Sequence, residues 1–248
     1  MQWTDDAIVL RAGTFREIDL WVRVLTRSRG LLTAFAFGGR RSHRRFTGCL
    51  DAFNVIRANL DASRDGRFLD LKEATLLRGP ERLRRDWRRQ GAAANCIRFL
   101  EALGVPPDNA RTSYELISEL FALLDGEADV PAIVPVLFRF RFAAEQGYAP
   151  ELSECSRCGR TLSGGGEVHF LVSDGVFVCS SCRRSGDMSL ALGQEALDVL
   201  TKVKEYSPGS WNALNPSAES GRQVSRLIDA FVRYHLGLEW VNGRFKAV

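Results

Sequence analysis

Four cysteines define the most specific chemistry open to this chain. Cys155-Ser-Arg-Cys158 and Cys179-Ser-Ser-Cys182 stand twenty residues apart. A C-x-x-C pair directs two thiolates at one point, and two pairs supply four sulfurs for a tetrahedral ion, the pattern of a zinc ribbon. Four thiolates leave no coordination position for water or substrate, which argues against a catalytic ion. Disulfides would require an oxidising compartment, and nothing in the chain points to one. A thioredoxin-like pair belongs at a strand-to-helix junction, which this segment is not. The expectation is a structural Zn2+ held by Cys155, Cys158, Cys179 and Cys182, stapling a subdomain with too little core of its own. His169 lies near the motif but is surplus as a ligand, and reads as a surface strand residue.

The second feature is a loop, Gly38-Gly39-Arg40-Arg41-Ser42-His43-Arg44-Arg45-Phe46. Four arginines follow two glycines, with His43 and Phe46 available to stack on bases. Arg23, Arg27, Arg29 and Arg57 extend the patch. On a small barrel such a surface makes an electrostatic groove for single strands; the alternative is a solvated charged loop with no ligand. A later run, Arg82-Leu-Arg84-Arg85-Asp-Trp-Arg88-Arg89, is either a continuation of that phosphate track or a plain exposed helix face.

Charge distribution agrees with a polyanion-binding first third. Residues 1–90 carry 19 basic against 11 acidic side chains, whereas residues 91–248 carry 15 against 19. Only Lys72, Lys202, Lys204 and Lys246 are lysines; arginine suits bidentate phosphate contact, although genomic composition gives the same bias. No apolar run reaches the roughly 18 residues of a membrane span. The start of the chain lacks the basic and apolar regions of a signal peptide. A reducing cytoplasm, with nucleoid association, is the expected location. Cys49 and Cys96 sit in apolar contexts and read as buried small hydrophobes. No phosphate-binding loop, H-E-x-x-H or G-x-S-x-G motif is present, and no enzymatic activity is expected.

The elements that must position these residues change character near residue 79. Before it, alternating runs predict five strands, over residues 6–11, 19–26, 31–37, 48–60 and 67–75, with turns at 28–30 and 61–66. A five-stranded OB-type barrel accounts for them, with an SH3-like barrel as the runner-up. After Gly79-Pro80 the period lengthens. Helices are predicted from Pro80 to Leu103, from a cap at Thr112 or Ser113 to Leu124, over 130–145 with Pro135 delaying or kinking the start, over 193–203, and over 220–238. Between them, 168–172 and 176–178 form a hairpin carrying the second cysteine pair. His235 reads as a core or interface histidine. The expected class is α+β multidomain: an N-terminal OB-type β-barrel over 1–78, a helical bundle over 79–152 and 188–248, and a four-cysteine zinc-binding insertion over 153–187.

An ordered set of motifs spans the chain: Gly30 and Gly38-Gly39-Arg-Arg among strands, Phe140-Arg-Phe-Ala-Ala-Glu-Gln-Gly147-Tyr-Ala-Pro150 running into Cys155, and then Cys179-x-x-Cys182. This set resembles the bacterial recombination mediator RecO family. The resemblance implies a non-enzymatic role in recombinational repair: binding single- and double-stranded DNA, annealing complementary strands, and helping load recombinase onto strands coated by single-strand-binding protein. It implies as partners RecR and the acidic-apolar C-terminal tail of the single-strand-binding protein, the latter docking on the helical domain. The family often carries a basic residue just before the glycines of the third strand. Here that position is Phe37, and the basic load lies in Arg40, Arg41, Arg44 and Arg45. A protein-interaction scaffold, its basic barrel docking an acidic partner, is the competing class.

Overall fold

The computed structural model describes residues 2–42, 44–63, 68–164 and 166–248. They fall into two compact units, residues 1–90 with 104–126 and residues 91–103 with 127–248.

The first unit holds β1 (Gln2–Thr14), β2 (Leu20–Thr26), β3 (Gly30–Ala36), β4 (Val55–Ala62) and β5 (Leu69–Arg78), closed into a barrel in the order β1-β2-β3-β5-β4. β1 serves two neighbours. Residues 2–8 pair with β4 and residues 7–14 with β2, and a register shift between Val9 and Arg11 turns the strand from one to the other. The barrel shuts through a short parallel contact, Ala34 opposite Leu69 and Phe35 opposite Asp70. This is the OB-type arrangement expected from the strand count. Alternation puts Ala7, Val9, Val22, Val24, Ala34, Ala36, Ile56, Ala58, Leu60, Leu71 and Ala74 inside; the alanines fit where the small interior narrows.

The expected strand over 48–60 is shorter than the sequence suggested. β4 begins at Val55, and the residues before it fold back as turns. Phe46 and Cys49 are buried in the barrel core, and the buried Asn54 side chain donates to the carbonyls of Gly48 (2.8 Å) and Cys49 (3.0 Å). Apolar residues three apart, with Gly48 at φ 66°, form a plug and not an alternating strand. Phe46 is therefore a core residue with no face to offer a base. The expected turn over 61–66 starts later, because Asp61 and Ala62 still pair with β5 as the end of β4; its residues 64–66, and His43 with its stacking role, lie outside the described residues.

Beyond the barrel, α1 (Arg82–Arg85) and α2 (Trp87–Leu103) replace a single predicted helix. Asp86 breaks it, turning extended and accepting the Arg88 N–H at 2.8 Å as a new cap. Helix α3 (Ala110–Asp125) starts earlier than either expected cap, from a 3-10 turn at Pro107–Asn109, and Ser113 is buried. α3 packs on β2 and β3, so it belongs with the barrel unit although its period marks it as helical.

The second unit is built on α4 (Val134–Glu145), α5 (Gln194–Glu205) and α6 (Ala218–His235), with residues 91–103 of α2. α4 is the central helix, as its phenylalanines predict: Phe138, Phe140 and Phe142 are fully buried. It starts only at Val134, because Pro135 has no N–H to donate and is tolerated only in a first turn. Arg139, on the same helix, is also buried. It donates to Asp229 (2.9 Å) and Asn95 (3.2 Å) and lies 5.1 Å from the Phe245 ring, joining α2, α6 and the C-terminal hairpin. That hairpin, β9 (Leu238–Val241) and β10 (Arg244–Ala247), was not expected. Its turn is Asn242-Gly243, both at positive φ, the sequence pair best suited to a two-residue hairpin.

The cysteine segment lies in this same unit and carries three strands, in the order β7-β6-β8: β6 (Val168–Leu171), β7 (Val176–Cys179) and β8 (Ser189–Leu192). The additional strand β8 makes β6 central, which corrects His169: it is buried, with Nε2 3.3 Å from Glu167. The sheet is seated on α6. Phe170 meets Phe231, and His235 stacks on Phe231 and donates from Nε2 to the Val172 carbonyl at 2.8 Å. Gly175, at φ 67°, leaves room for that ring, since a Cβ there would stand 2.8 Å from His235 Cε1.

At the α5–α6 junction, the Glu195 carboxylate accepts from the Ser217 N–H (2.8 Å), the Ser217 hydroxyl (2.6 Å) and the Ser220 hydroxyl. These donors, the Ser217 hydroxyl first, hold its pKa at about 2, well below the usual carboxylate range. A depressed carboxyl contributes stability that is complete above its unfolded pKa and lost as pH falls through the folded one. The melting-temperature deficit of Glu195→Gln should therefore be steady above about pH 5 and shrink toward pH 2. A deficit constant over that whole range would contradict the assignment.

Candidate metal centre and nucleic-acid interface

The four cysteine sulfurs lie within 4.8 Å of one another, and Cys158 and Cys179 are 3.9 Å apart. A tetrahedral ion with Zn–S bonds near 2.3 Å spaces its sulfurs by about 3.8 Å. The backbone shapes each half. Gly159, at φ 70°, donates its N–H to the Cys155 carbonyl (2.9 Å), and the Cys179 N–H points at Cys155 Sγ (3.4 Å). Arg157 ties the halves together, donating to the Cys182 carbonyl (2.6 Å) and in two-pronged fashion to Asp187 (2.7 and 2.9 Å).

The thiols alone make an unbalanced set. Burial resists ionisation of Cys155, yet N–H groups of Cys179, Arg157 and Cys158 outweigh it and bring the thiol to about 6. Cys182, beside the thiols of Cys158 and Cys179, is pushed up to about 12. Four thiolates converging on one point need a cation at their centre. The cluster can hold a metal ion, and its donor set suits zinc. Cys49 and Cys96 are buried apart from it, as expected, and burial raises both thiols.

The basic loop leaves β3 as an ordered turn. Gly38, at φ 66°, donates its N–H to the buried Asp19 (2.8 Å), and Gly39–Arg41 form a 3-10 turn. Arg40 donates to the carbonyl of Glu17 (3.1 Å). Arg45 donates to the carbonyl of Phe37 (2.6 Å), while its own carbonyl accepts the Ala74 N–H. Arg40, Arg41, Arg44 and Arg45 are all exposed, and none forms an ion pair among the described residues.

The other expected arginines are placed differently. Arg23 is half-buried on β2 and donates to Thr33 (3.0 Å). Arg27 and Arg29 occupy the β2–β3 turn, at the other end of the hairpin, about 20 Å away along seven residues of strand. Arg27 pairs with Glu115 (3.0 Å), and Arg29 covers the Trp3 ring at 3.8 Å. Arg57 pairs with Asp6 (3.0 Å). Barrel topology thus gathers the four loop arginines and leaves Arg27 and Arg29 apart from them. The later run divides too. Arg84 donates to Ala52 and Asn54, and Arg89 to the carbonyls of Leu124 and Gly126, so both serve the fold. Arg85, Trp87 and Arg88 stay exposed, Trp87 to 76%.

One feature of the barrel surface went unread in the sequence: Phe15, Phe35, Phe37 and Phe68 cluster on its outside. The available signal was Phe35 and Phe37, two apart at the end of β3, alternating with Ala34 and Ala36, which face the core.

Models of known families divide the chain close to the barrel boundary. Residues 1–80 match Recombination protein O N terminal and residues 84–244 match Recombination protein O C terminal. The chain belongs to the RecO family. It is 50% identical to a DNA repair protein RecO of Nitratidesulfovibrio vulgaris, over 99% of each chain. It is 46% identical to that of Lawsonia intracellularis over the full length of both, and 31% identical to that of Anaeromyxobacter dehalogenans over 96% of this chain and 93% of the relative. RecO membership assigns the chain to DNA repair and recombination. Among the described residues, no helix is long and apolar enough to cross a membrane.

Metal analysis of the purified protein should return one ion per chain. After its extraction by a strong chelator, amide-exchange protection should be lost over residues 153–192 and kept in β1–β5. Undiminished protection over 153–192 would show that the knuckles fold without an ion.

Proposed function

We propose that this RecO protein is a non-enzymatic recombination mediator that binds single- and double-stranded DNA through the barrel loop carrying Arg40, Arg41, Arg44 and Arg45. In this reading it anneals complementary strands and helps load recombinase onto strands coated by single-strand-binding protein. The observation that carries the reading is the loop itself: four exposed arginines that form no ion pair among the described residues, on a backbone anchored by Asp19 and Ala74. Annealing is opposed by repulsion between two phosphate backbones, and a dense, unpaired cationic surface lowers it. Arg23 extends the surface along β2. Arg27 and Arg29 reach phosphates only if the strand follows the hairpin to its far end. The four cysteines hold a structural zinc that keeps β6–β8 folded against α6. The site of action is the cytoplasmic nucleoid, and RecR is the partner implied by the family.

The tail of the single-strand-binding protein is assigned to a groove between α4 and α6. Its volume is about 450 Å³, and Ile133, Val136 and Gly221 line it beside Arg222 and Arg226. Apolar walls beside a rim arginine complement an acidic-apolar peptide end. Asp229 is engaged by Arg139, and Arg222 by Glu219, so Arg226 is the cation that an acidic end would meet.

Two measurements test the reading. Annealing of complementary labelled oligonucleotides should accelerate without ATP and fade with salt. Replacing Arg40, Arg41, Arg44 and Arg45 by alanine should flatten the log-log salt dependence of single-strand binding by about 0.7 for each phosphate contact removed. An unchanged slope would remove the loop from the interface. Weak binding independent of DNA length would favour the acidic-partner scaffold. For the groove, Arg226→Glu should weaken binding of a single-strand-binding protein tail peptide about tenfold or more while leaving annealing of bare strands intact. Equal tail affinity in that variant would place the tail elsewhere.

A further inference from the structure

Phe15, Phe35, Phe37 and Phe68 lie on the outer surface of the barrel, where none is needed to fill the core. Ala34 and Ala36 of β3 face inward, so strand alternation sends Phe35 and Phe37 outward. Phe15 comes from the β1–β2 connection and Phe68 from the residue before β5. The rings form a continuous set, with centroids 4.6 Å apart for Phe15–Phe35, 6.3 Å for Phe35–Phe37 and 5.6 Å for Phe37–Phe68. Phe35 and Phe37 are near parallel, at 23°. Trp21, opposite Phe35 in the β2–β3 register, shares the face. Four rings closing on themselves would hide their surfaces, yet Phe15 remains 46% and Phe68 38% exposed.

Cations border this apolar face. The Arg16 guanidinium stands 5.2 Å from the Phe15 ring centre, Arg23 follows Trp21 on β2, and Arg40 and Arg41 follow Phe37 by three and four residues. Aromatic faces edged by arginine suit unpaired bases, which stack on the rings while the phosphates meet the cations. In OB-type barrels the face of the second and third strands, between the first and fourth connections, is where oligonucleotides lie. We infer that Phe15, Phe35, Phe37 and Phe68 form a base-stacking platform that takes unpaired nucleobases. The inference rests on the DNA-binding reading above and refines it. Phosphate contacts by the loop arginines serve single strands and duplex alike, whereas the platform acts only on single strands, because a duplex keeps its bases stacked inside. The platform then takes the stacking role that the buried Phe46 cannot fill.

The test uses the full chain and three labelled probes: an oligothymidylate, an abasic strand of equal length, and a duplex of equal length. Phe15→Leu with Phe68→Leu keeps apolar bulk and removes the rings. It should weaken oligothymidylate binding about tenfold or more and leave abasic-strand and duplex binding unchanged. Phe15→Trp with Phe68→Trp should restore or exceed wild-type oligothymidylate affinity. Leucine variants that bind oligothymidylate like wild type, or that lose all three probes equally, would overturn the platform while leaving DNA binding standing. A wild-type protein that binds none of the probes would overturn the DNA-binding reading and the platform with it.

Discussion

A five-stranded barrel closed on itself still has an end to seal, and in this protein the segment that seals it also carries the arginines. Phe46 and Cys49 enter the core, Asn54 fixes the backbone around them, and Ala74 on β5 donates to the Arg45 carbonyl. Removing Phe46 would open a cavity worth about 3–5 kcal/mol. That insertion ties Arg45 to β5, and Asp19 and the Glu17 carbonyl hold Gly38 and Arg40, so four like charges are kept on one short connection. Their mutual repulsion is tolerated because core burial anchors the loop, with no acidic partner for them among the described residues. A surface left electrostatically unsatisfied in this way is available to a polyanion.

The four-cysteine cluster solves a related problem with different means. The cysteine segment is too small to hold itself by apolar burial alone. It leans on α6 through Phe170, Phe231 and His235, and its knuckles converge four thiols that cannot all ionise without a cation. The bidentate Arg157–Asp187 pair and the Cys182 carbonyl complete the frame around the sulfurs. Since His235 reaches the Val172 carbonyl across the space above Gly175, the state of the knuckles and the end of α6 are mechanically joined. In the helical unit Arg139 plays the corresponding part. It is a buried charge that donates to Asp229 and Asn95 and is backed by Phe245, so three elements meet on one guanidinium.

Much of this architecture was legible from residue order, and the misses share a cause. The strands of the barrel, the central phenylalanine-rich helix and the buried Cys49 and Cys96 follow from local period and polarity, which survive in one dimension. Phe46, His169 and the 48–54 stretch were misread because their burial depends on partners distant in the chain: β5 for the first, β8 for the second, the barrel end for the third. The Asn242-Gly243 turn was a local signal that went unread behind a strong helical period.

By itself, the sequence determined the four-cysteine cluster of Cys155, Cys158, Cys179 and Cys182, the RecO pattern of motifs, and a basic run at Arg40 to Arg45, because spacing and residue type carry that information directly. Only the tertiary structure decided which arginines stand together. Strand length puts Arg27 and Arg29 at the opposite end of the hairpin, and Glu115 and Trp3 engage them there. It also decided which aromatics face solvent. Alternation on β3 and closure of the barrel bring Phe15 and Phe68, fifty-three residues apart in sequence, onto one surface with Phe35 and Phe37. Linear spacing sets what a side chain can do, but long-range strand pairing sets what stands beside it.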